Sequence, residues 1–324
     1  MTPLVRFLAA ALALGMAVSE PFAQQTDRVA VVGRLTVVGG ADDPINEAIR
    51  KGLRELGYLE GRDFRIEHRS AEGRLDQLPR LAEELVRLKV DVIVTGTVLS
   101  TRAAKLATST IPIVAIFPDH DPVASGLIES FNHPGGNITG LTVRGSQLAG
   151  KRLELLKEML PDLSRVTVLW DPFVQADIKE LEIAARSLDI ELRLVEVNAP
   201  YDFDAAFSVA KRKKAGAVVL LGSPQVYIRR VQLGALALKH KLPVFCSFRD
   251  TTEAGGLVSY GTDVFYAFHR AAYFIDRLLK GAKPSDLPFE QSDTIKLVVN
   301  LKTAKGLGIT IPESILLQAD EVFR

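Results

Sequence analysis

The stretches "STIPIVAIFPD" (residues 109–119) and "HKLPVFCSFRD" (residues 240–250) share a spacing that decides the fold. Both contain a proline, a short apolar run, a phenylalanine and an aspartate. The matching residues are Pro112, Phe117 and Asp119 in the first stretch and Pro243, Phe248 and Asp250 in the second. Parallel sheets in general produce strand–helix alternation, but one constant offset indicates a structural unit that occurs twice.

The segments before these two stretches repeat the same plan. "RVAVVG" (28–33) precedes a helical pattern over 44–56, which Asp43 and Pro44 begin as N-cap and first residue. "RVTVLW" (165–170) opens the second series in the same way. Alternating strands and helices indicate parallel sheets covered by helices on both faces. The sequence therefore predicts an α/β protein of two doubly wound, Rossmann-like domains.

The last part of the chain contains strands and a helix that do not belong to either domain if the two domains simply follow one another along the sequence. They are "GLVSYGTD" (256–263), a helix over 264–281 and a strand over 294–300. Their presence is explained if the chain crosses back to the first domain and then returns. We expect an N-terminal domain of residues 27–145 plus about 262–290, and a C-terminal domain of 146–261 plus about 291–324. Several crossings would form a hinge over a cleft.

The N-terminus carries the signature of an export signal. Arg6 precedes an uninterrupted apolar run over 7–18, which is short for a bilayer span. We expect residues 1–23 to be a signal peptide; cleavage after Ser19 and retention as an uncleaved anchor are the alternatives. The predicted location is the periplasm, and the absence of a cysteine near the cleavage region excludes a lipoprotein. The single cysteine, Cys246, is expected in a buried strand.

Composition and charge exclude several classes of protein. The 324 residues are 47% hydrophobic and 24% charged, with a formal net charge of +1. Nucleic acid is excluded as the main partner, because phosphate binding needs a surplus of Lys and Arg. The run "KRKK" (211–214) is interpreted as a solvated helix end. No stretch after the signal is apolar over 18 residues, so a mature membrane span is not expected.

Motifs for catalysis, cofactors and metals are missing from the sequence. There is no GxGxxG after the first strand and no GxxxxGK[ST], GxSxG or HExxH motif, and the five histidines are scattered. Asp119, His120 and Asp121 follow the fourth strand, but a hard cation needs about six oxygen ligands. We expect no enzyme activity, cofactor or metal, and interpret Asp121 as a ligand contact or a hinge hydrogen-bond partner.

Ligands of open parallel sheets bind beyond the carboxyl ends of the strands. Helix N-termini there suit a carboxylate, and an aspartate suits an ammonium group. The candidate ligand-binding residues at these ends are Thr36, Thr97, Ser100, Asp121, Trp170, Asp171, Ser223, Phe248 and Tyr260. The alternative is that the polar ones only cap their own helices. Trp170 would stack on a planar ligand or pack on the following helix, and Tyr260 would lie at a hinge or in the cleft wall.

Several long segments resemble one known family. They are "GLRELGYLEGRDFRIEHRSAEGRLDQLPRLAEELVRLKVDVIVTG" (52–96), "DPVASGLIESFNHPGGNITGLT" (121–142), "GKRLELLKEMLPDLSRVTVLWDP" (150–172), "GGLVSYGTD" (255–263) and "NLKTAKGLGITIPESILLQADEV" (300–322). They are similar to the tryptophan/tyrosine-type substrate-binding proteins of ATP-binding-cassette (ABC) importers. The resemblance covers the chain from about residue 28 to its end.

The resemblance implies a monomeric periplasmic binding protein of the type I fold, with three crossings between domains. Such a protein closes on a small-molecule ligand and then docks on an ABC permease, and through it acts with the ATPase subunit. The chain departs from the family pattern in two cleft loops, "GRLTVVGGADDP" (33–44) and "TVLSTRAA" (97–104). The general function is therefore implied more strongly than the ligand.

Two other functions are compatible with the same predicted fold. An exported enzyme of two Rossmann-like domains would rest on fold analogy alone, which does not establish function. A periplasmic ligand-sensing module would use the same binding domain with a different membrane partner. Turnover of a bound compound would indicate the enzyme.

Overall fold

The computed structural model describes residues 28–117, 121–143, 148–171, 174, 177–292 and 294–324. Strands and helices alternate along most of this length. The strands are β1 (Ala30–Thr36), β2 (Phe64–Ser70), β3 (Val92–Thr95), β4 (Ile113–Phe117), β5 (Ile138–Val143), β6 (Arg165–Trp170), β7 (Glu191–Glu196), β8 (Ala217–Leu220), β9 (Val244–Cys246), β10 (Val258–Thr262), β11 (Glu290–Ser292), β12 (Ile295–Asn300) and β13 (Glu321–Phe323).

The α-helices connect these strands on both faces of the sheets. They are α1 (Pro44–Glu55), α2 (Leu78–Arg87), α3 (Val98–Ala107), α4 (Ala149–Met159), α5 (Asp177–Ser187), α6 (Phe203–Arg212), α7 (Pro224–Ile228), α8 (Arg230–His240), α9 (Arg249–Glu253), α10 (Val264–Leu279), α11 (Leu301–Leu307) and α12 (Glu313–Gln318). Short 3₁₀ turns occupy Leu75–Gln77 and Pro284–Asp286.

The strands form two sheets. The first has the order β11-β5-β4-β3-β1-β2, with every pairing parallel. The second has the order β13-β12-β10-β9-β8-β6-β7, in which only the β10–β12 pairing is antiparallel among the described strands. The predicted class, two doubly wound α/β units, is confirmed.

The chain passes between the sheets after β5, after β10 and after β11. After the second passage, α10 packs against α1 of the first sheet, and β11 pairs with β5. The close approach of the two helices depends on Gly52 in α1, where an added Cβ would lie 2.5 Å from the carbonyl oxygen of His269. The segment that contains α10 and β11 thus belongs to the unit built on the first sheet.

Strand β5 has no counterpart among the strands expected from the sequence. Its six residues begin directly after a turn and include Gly140, which has a φ of 146°. A Cβ on Gly140 would lie 1.9 Å from the carbonyl oxygen of Ala115 in β4. The strand therefore exists because a glycine lets its backbone approach β4, and this is a tertiary contact.

Local sequence signals behave as expected at several other positions. The Asp43 carboxylate accepts a hydrogen bond from the Ile45 N–H at 2.9 Å, and Pro44 is the first residue of α1. The run "KRKK" lies exposed at the end of α6. Cys246 is fully buried at the end of β9, and burial raises the pKa of its thiol to about 11. These predictions are confirmed.

Candidate functional site

A cavity of about 550 Å³ opens between the loops of the two sheets. Loops that follow β1 and β2 line one side, and the loop that follows β7 lines the other together with α7, the helix that follows β8. The lining residues are Val38, Gly39, Gly40, Glu72, Gly73, Arg74, Ala199, Pro200, Tyr201, Gln225, Ile228 and Arg229. The cavity therefore lies at the carboxyl ends of strands from both halves of the chain, where doubly wound folds bind ligands.

The two sides of this cavity meet at Gly73 and Gln225. A Cβ on Gly73 would lie 3.6 Å from the Gln225 side-chain nitrogen. On the second side, the Arg229 guanidinium lies 4.8 Å from the centre of the Tyr201 ring and donates a hydrogen bond to Gln225. Burial, together with the nearby charge of Asp171, raises the pKa of Tyr201. An aromatic ring, an amide and a cation thus form one polar wall.

In the first half, the candidates Thr97 and Ser100 form a reciprocal capping box at the start of α3. The Ser100 N–H donates to the Thr97 hydroxyl at 3.1 Å, and the Thr97 N–H donates to the Ser100 hydroxyl at 3.2 Å. Thr36 ends β1, and its buried hydroxyl has no hydrogen-bond partner among the described residues. Asp121 is exposed, and its carboxylate accepts from the N–H groups of Val123 and Ala124.

In the second half, Ser223 caps α7 by accepting from the Val226 N–H at 3.2 Å. Phe248 is buried at the start of α9 and packs edge-on against Tyr227, with ring centres 5.8 Å apart. Asp171 is buried directly after β6. Trp170, at the end of β6, packs partly buried against the apolar core of the second sheet.

Tyr260 lies in β10, the last strand before the second passage between the sheets. Its side chain is partly buried against the core of the second sheet, and its carbonyl oxygen accepts from the Arg152 Nε at 2.8 Å. This contact joins β10 to α4, the helix that follows the first passage. Both elements therefore adjoin connections between the two sheets.

None of the nine candidate residues lines the 550 Å³ cavity. Thr97, Ser100 and Ser223 perform the helix-capping role that the sequence offered as the alternative, whereas the Asp121 carboxylate caps a turn; a ligand contact at any of the nine stays a prediction. Asp119 and His120 lie outside the described residues. The cavity residues Tyr201, Gln225 and Arg229 were missed because no local pattern shows which residues of a loop or helix come near the opposite half of the chain.

Arg34 is a second residue that the strand-end argument missed. Its side chain lies on β1, is 4% exposed and is held above the Phe268 ring, with 4.7 Å between guanidinium carbon and ring centre. Burial lowers its pKa to about 10, and Asp43 partly opposes this change. The sequence signal was a single charged residue interrupting the apolar strand "VAVVGRLTVV" (29–38).

Several other groups near the strand ends have perturbed pKa values. His68, opposite Arg34 in β2, has its pKa lowered to about 4 by burial and then by the positive charge of Arg34. Burial raises the pKa of Asp250 in α9. The pKa of Tyr227 is raised by burial, by Asp250 and by Asp43 of the first half. At neutral pH His68 is therefore uncharged beside a charged Arg34.

The described part of the chain carries neither a metal-binding cluster nor a membrane-spanning helix. There, no three His, Cys, Asp or Glu side chains are grouped so that they could hold a metal ion. Within the same residues, no helix combines the length and the apolar character that crossing a bilayer requires.

The sequence matches a known family along nearly its whole length. Residues 28–323 match the family described as ABC transporter substrate binding protein. The chain is 24% identical over 271 residues to a tyrosine-binding protein of Clostridioides difficile (strain R20291), a match that covers 82% of this chain and 77% of the relative.

Two solved structures share the architecture at moderate identity. A conserved domain protein from Vibrio cholerae is 28% identical with a TM-score of 0.81, and the match covers 91% of this chain and all of that one. An ABC domain from Streptococcus pneumoniae in complex with L-Trp is 26% identical with the same TM-score and coverage. The type I periplasmic-binding architecture is thereby confirmed, and the chain belongs to the ABC transporter substrate-binding protein family.

Proposed function

We propose that this member of the family serves an ABC importer by closing on a small carboxylate-bearing molecule between its two sheets. The observation that carries this proposal is the cavity of about 550 Å³, lined by loops from both halves of the chain. A ligand that contacts both halves stabilises the closed arrangement over the open one, because it gains contacts only when the halves approach.

The size and lining of the cavity favour a small, partly planar ligand. Pockets for small molecules have volumes of about 300–1,000 Å³ and combine apolar walls with a few polar groups. The ring of Tyr201 offers a planar surface, and Arg229 and Gln225 offer hydrogen-bond donors. Of the similar proteins described above, one is named as tyrosine-binding and one was solved in complex with L-Trp, and both of these compounds carry a carboxylate.

Export and membrane partners follow from the same function. The apolar run over 7–18 supports a signal peptide in residues 1–23 and delivery to the periplasm without a lipid anchor. There the liganded protein would act as a monomer, without a cofactor and without catalysing a reaction. It would dock on the permease, and so act together with the ATPase subunit. Membership of the family supports this role.

The decisive experiment is thermal unfolding of the exported protein against a panel of amino acids, aromatic carboxylates, short diacids and sugars. A ligand present at 100 times its dissociation constant adds about 2.7 kcal/mol to the free energy of unfolding. For a protein of this size we expect a rise of several degrees in the midpoint temperature. Mass spectrometry of the released compound should recover it unchanged.

Two results would contradict the proposal. No rise in the midpoint temperature with any compound would exclude binding of these ligand classes, and chemical conversion of a bound compound would indicate an enzyme. Closure has its own check by small-angle X-ray scattering. Identical scattering curves for the empty and the saturated protein would contradict it.

A further inference from the structure

Arg34 carries a positive charge inside the first half of the molecule without a carboxylate partner. Among the described residues, none of the ion pairs includes it, although it is only 4% exposed. The negative charge of Asp43 acts on the Arg34 guanidinium, but the Asp43 carboxylate accepts a hydrogen bond from the Ile45 N–H at the start of α1. Buried charges in proteins are normally paired, so this arrangement requires an explanation.

The hydrogen bonds of Arg34 use only part of its guanidinium group. Nη1 donates to the carbonyl oxygens of Leu35 and Val94, both at 3.3 Å. Nε is enclosed and has no partner among the described residues, and Nη2 donates to none of them. The face of the group rests on the ring of Phe268. One edge of the planar fork is therefore free to donate to an anion.

The free edge lies beside the beginning of α3. Nη2 is 3.4 Å from the position that a Cβ on Gly96 would occupy, and Gly96 lies between β3 and α3. The first turn of any helix leaves N–H groups without an acceptor inside the helix, and here they belong to Val98 and Leu99. The buried Thr36 hydroxyl, two residues along β1, also has no partner among the described residues.

We propose that Arg34 and the first N–H groups of α3 bind the carboxylate of the ligand, and that Arg34 makes the protein select acids over their neutral amides. This inference rests on the proposed function, because it names the residue that would hold the carboxylate of the proposed ligand. Arg34 does not line the 550 Å³ cavity, so the carboxylate would have to reach beyond that lining into the first half of the chain. It also assigns a binding role to a strand residue of the segment "GRLTVVGGADDP" (33–44), which departs from the family pattern.

A carboxylate fits this site better than the other common anions. The planar guanidinium matches the two oxygens of a carboxylate in a bidentate pair, which a lysine ammonium cannot reproduce. A single negative charge balances the single charge of Arg34. The second charge of a phosphate would have no cation and would lie near Asp43. Because position 96 is a glycine, the start of α3 can approach both the guanidinium and the ring beneath it: a Cβ there would lie 3.4 Å from Nη2 and 2.8 Å from Phe268.

The test compares the exported wild-type protein with Arg34→Met, Arg34→Lys and Arg270→Met. Arg270 is the matched control, since it stacks on Tyr273 but pairs with Glu290. Calorimetric titration would use acids and partners in which the acidic group is replaced by a neutral one: L-tryptophan and L-tryptophanamide, benzoate and benzamide, succinate and succinamide, and glucose 6-phosphate and glucose.

We expect the wild type to bind its preferred acid at least about 100-fold more tightly than the matching amide, because a buried charge-assisted pair is lost with the amide. Arg34→Met should reduce this ratio of affinities to below about tenfold, because it weakens the binding of the acid and not the binding of the amide. Arg34→Lys should give an intermediate ratio, since it keeps the charge but not the fork. Arg270→Met should resemble the wild type.

Each contrary outcome overturns a defined statement. The role of Arg34 is contradicted if the wild type and Arg34→Met bind an acid equally well. It is also contradicted if the wild type binds an acid and its amide equally well. Both outcomes leave the proposed function intact. Preference for the phosphate ester contradicts the carboxylate class. If no compound binds to any variant, the proposed function itself fails.

The stability of the ligand-free protein distinguishes a structural role of Arg34 from a ligand-binding role. Removing an unpaired buried charge is neutral or stabilising when the replacement has a similar volume. Without ligand, the Arg34→Met variant should therefore have an unfolding midpoint temperature equal to that of the wild type or above it. A variant that does not fold, or that unfolds several degrees lower, would show that Arg34 stabilises the structure and would overturn the proposal.

Discussion

The two halves of the molecule each bury an arginine without a carboxylate partner among the described residues, but they hold it differently. Arg152 on α4 is 2% exposed, and its Nε donates to the Tyr260 carbonyl at 2.8 Å. Arg34 on β1 makes only longer hydrogen bonds of 3.3 Å and rests on Phe268. Similar residues in a repeated architecture can thus serve two purposes.

The difference follows from the elements that each arginine connects. Arg152 joins α4, which begins after the first passage between the sheets, to β10, which ends before the second. It braces two segments that adjoin the passages. Arg34 stays at the carboxyl end of the first sheet, beside Gly96 and the start of α3. The first arrangement suits structural support and the second suits recognition.

The halves also differ in how tightly glycines allow their helices to pack. In the first half, a Cβ on Gly52 of α1 would lie 2.5 Å from the carbonyl oxygen of His269. In the second half, a Cβ on Gly234 of α8 would lie 1.9 Å from the carbonyl oxygen of Ala254. Both obstacles are backbone atoms, which cannot rotate away as a side chain can. The second contact is the tighter one.

The largest effect is expected from Gly234→Ala. The clash with the Ala254 backbone should lower the free energy of unfolding by about 3 kcal/mol, and Gly52→Ala should lower it by about 2 kcal/mol. Urea unfolding would measure both. Gly306→Ala in α11 is the control, because its Cβ would meet only Leu238, at 3.5 Å, and alanine favours a helix. Equal effects for all three variants would contradict this account of the packing.

A smaller effect is expected when the two arginines are exchanged for methionine. Arg152→Met removes a short charge-assisted hydrogen bond and should cost about 2 kcal/mol of unfolding free energy. Arg34→Met should cost nothing or stabilise the empty protein. Thermal unfolding of both variants without ligand would measure the difference. Similar losses in both variants would remove the distinction between a supporting and a recognising arginine.

The smallest effect concerns the pH dependence of stability. His68 has a folded pKa of about 4, below its unfolded value of about 6.5, so the unfolded chain takes up a proton first. The contribution of His68 to the free energy of unfolding is therefore fully present above pH 6.5 and is lost as the pH falls toward 4. The slope should stay below about 1.4 kcal/mol per pH unit, because one proton is involved and the residue is partly exposed.

His68→Gln should flatten this part of the stability profile. Urea unfolding at several pH values between 4 and 7 would measure the slope for both proteins. His133, which is exposed on a turn, provides the control substitution. A slope that persists unchanged in His68→Gln would show that other groups cause the pH dependence.

The sequence was sufficient for the fold class and insufficient for the site. Periodicity and caps predicted α1, whose cap residue Asp43 binds the Ile45 N–H as expected. The strand-end argument chose Thr97 and Ser223, and both cap their helices. It did not find Tyr201 or Arg229, because a loop residue comes near the opposite half only through folding. The domain limits and the ligand contacts of the nine candidates stay predictions.

The sequence by itself determined what short-range physics controls: the alternation of strands and helices, the duplicated plan, the helix caps and the burial of Cys246. Only the tertiary structure decided the pairing of β5 with β4, the antiparallel entry of β12 and the packing of α10 on α1. It also decided that the Arg34 Nε has no partner among the described residues while the Arg152 Nε donates to the carbonyl of Tyr260. These features depend on contacts between residues far apart in the chain, and a local pattern carries no information about which distant atom will be near.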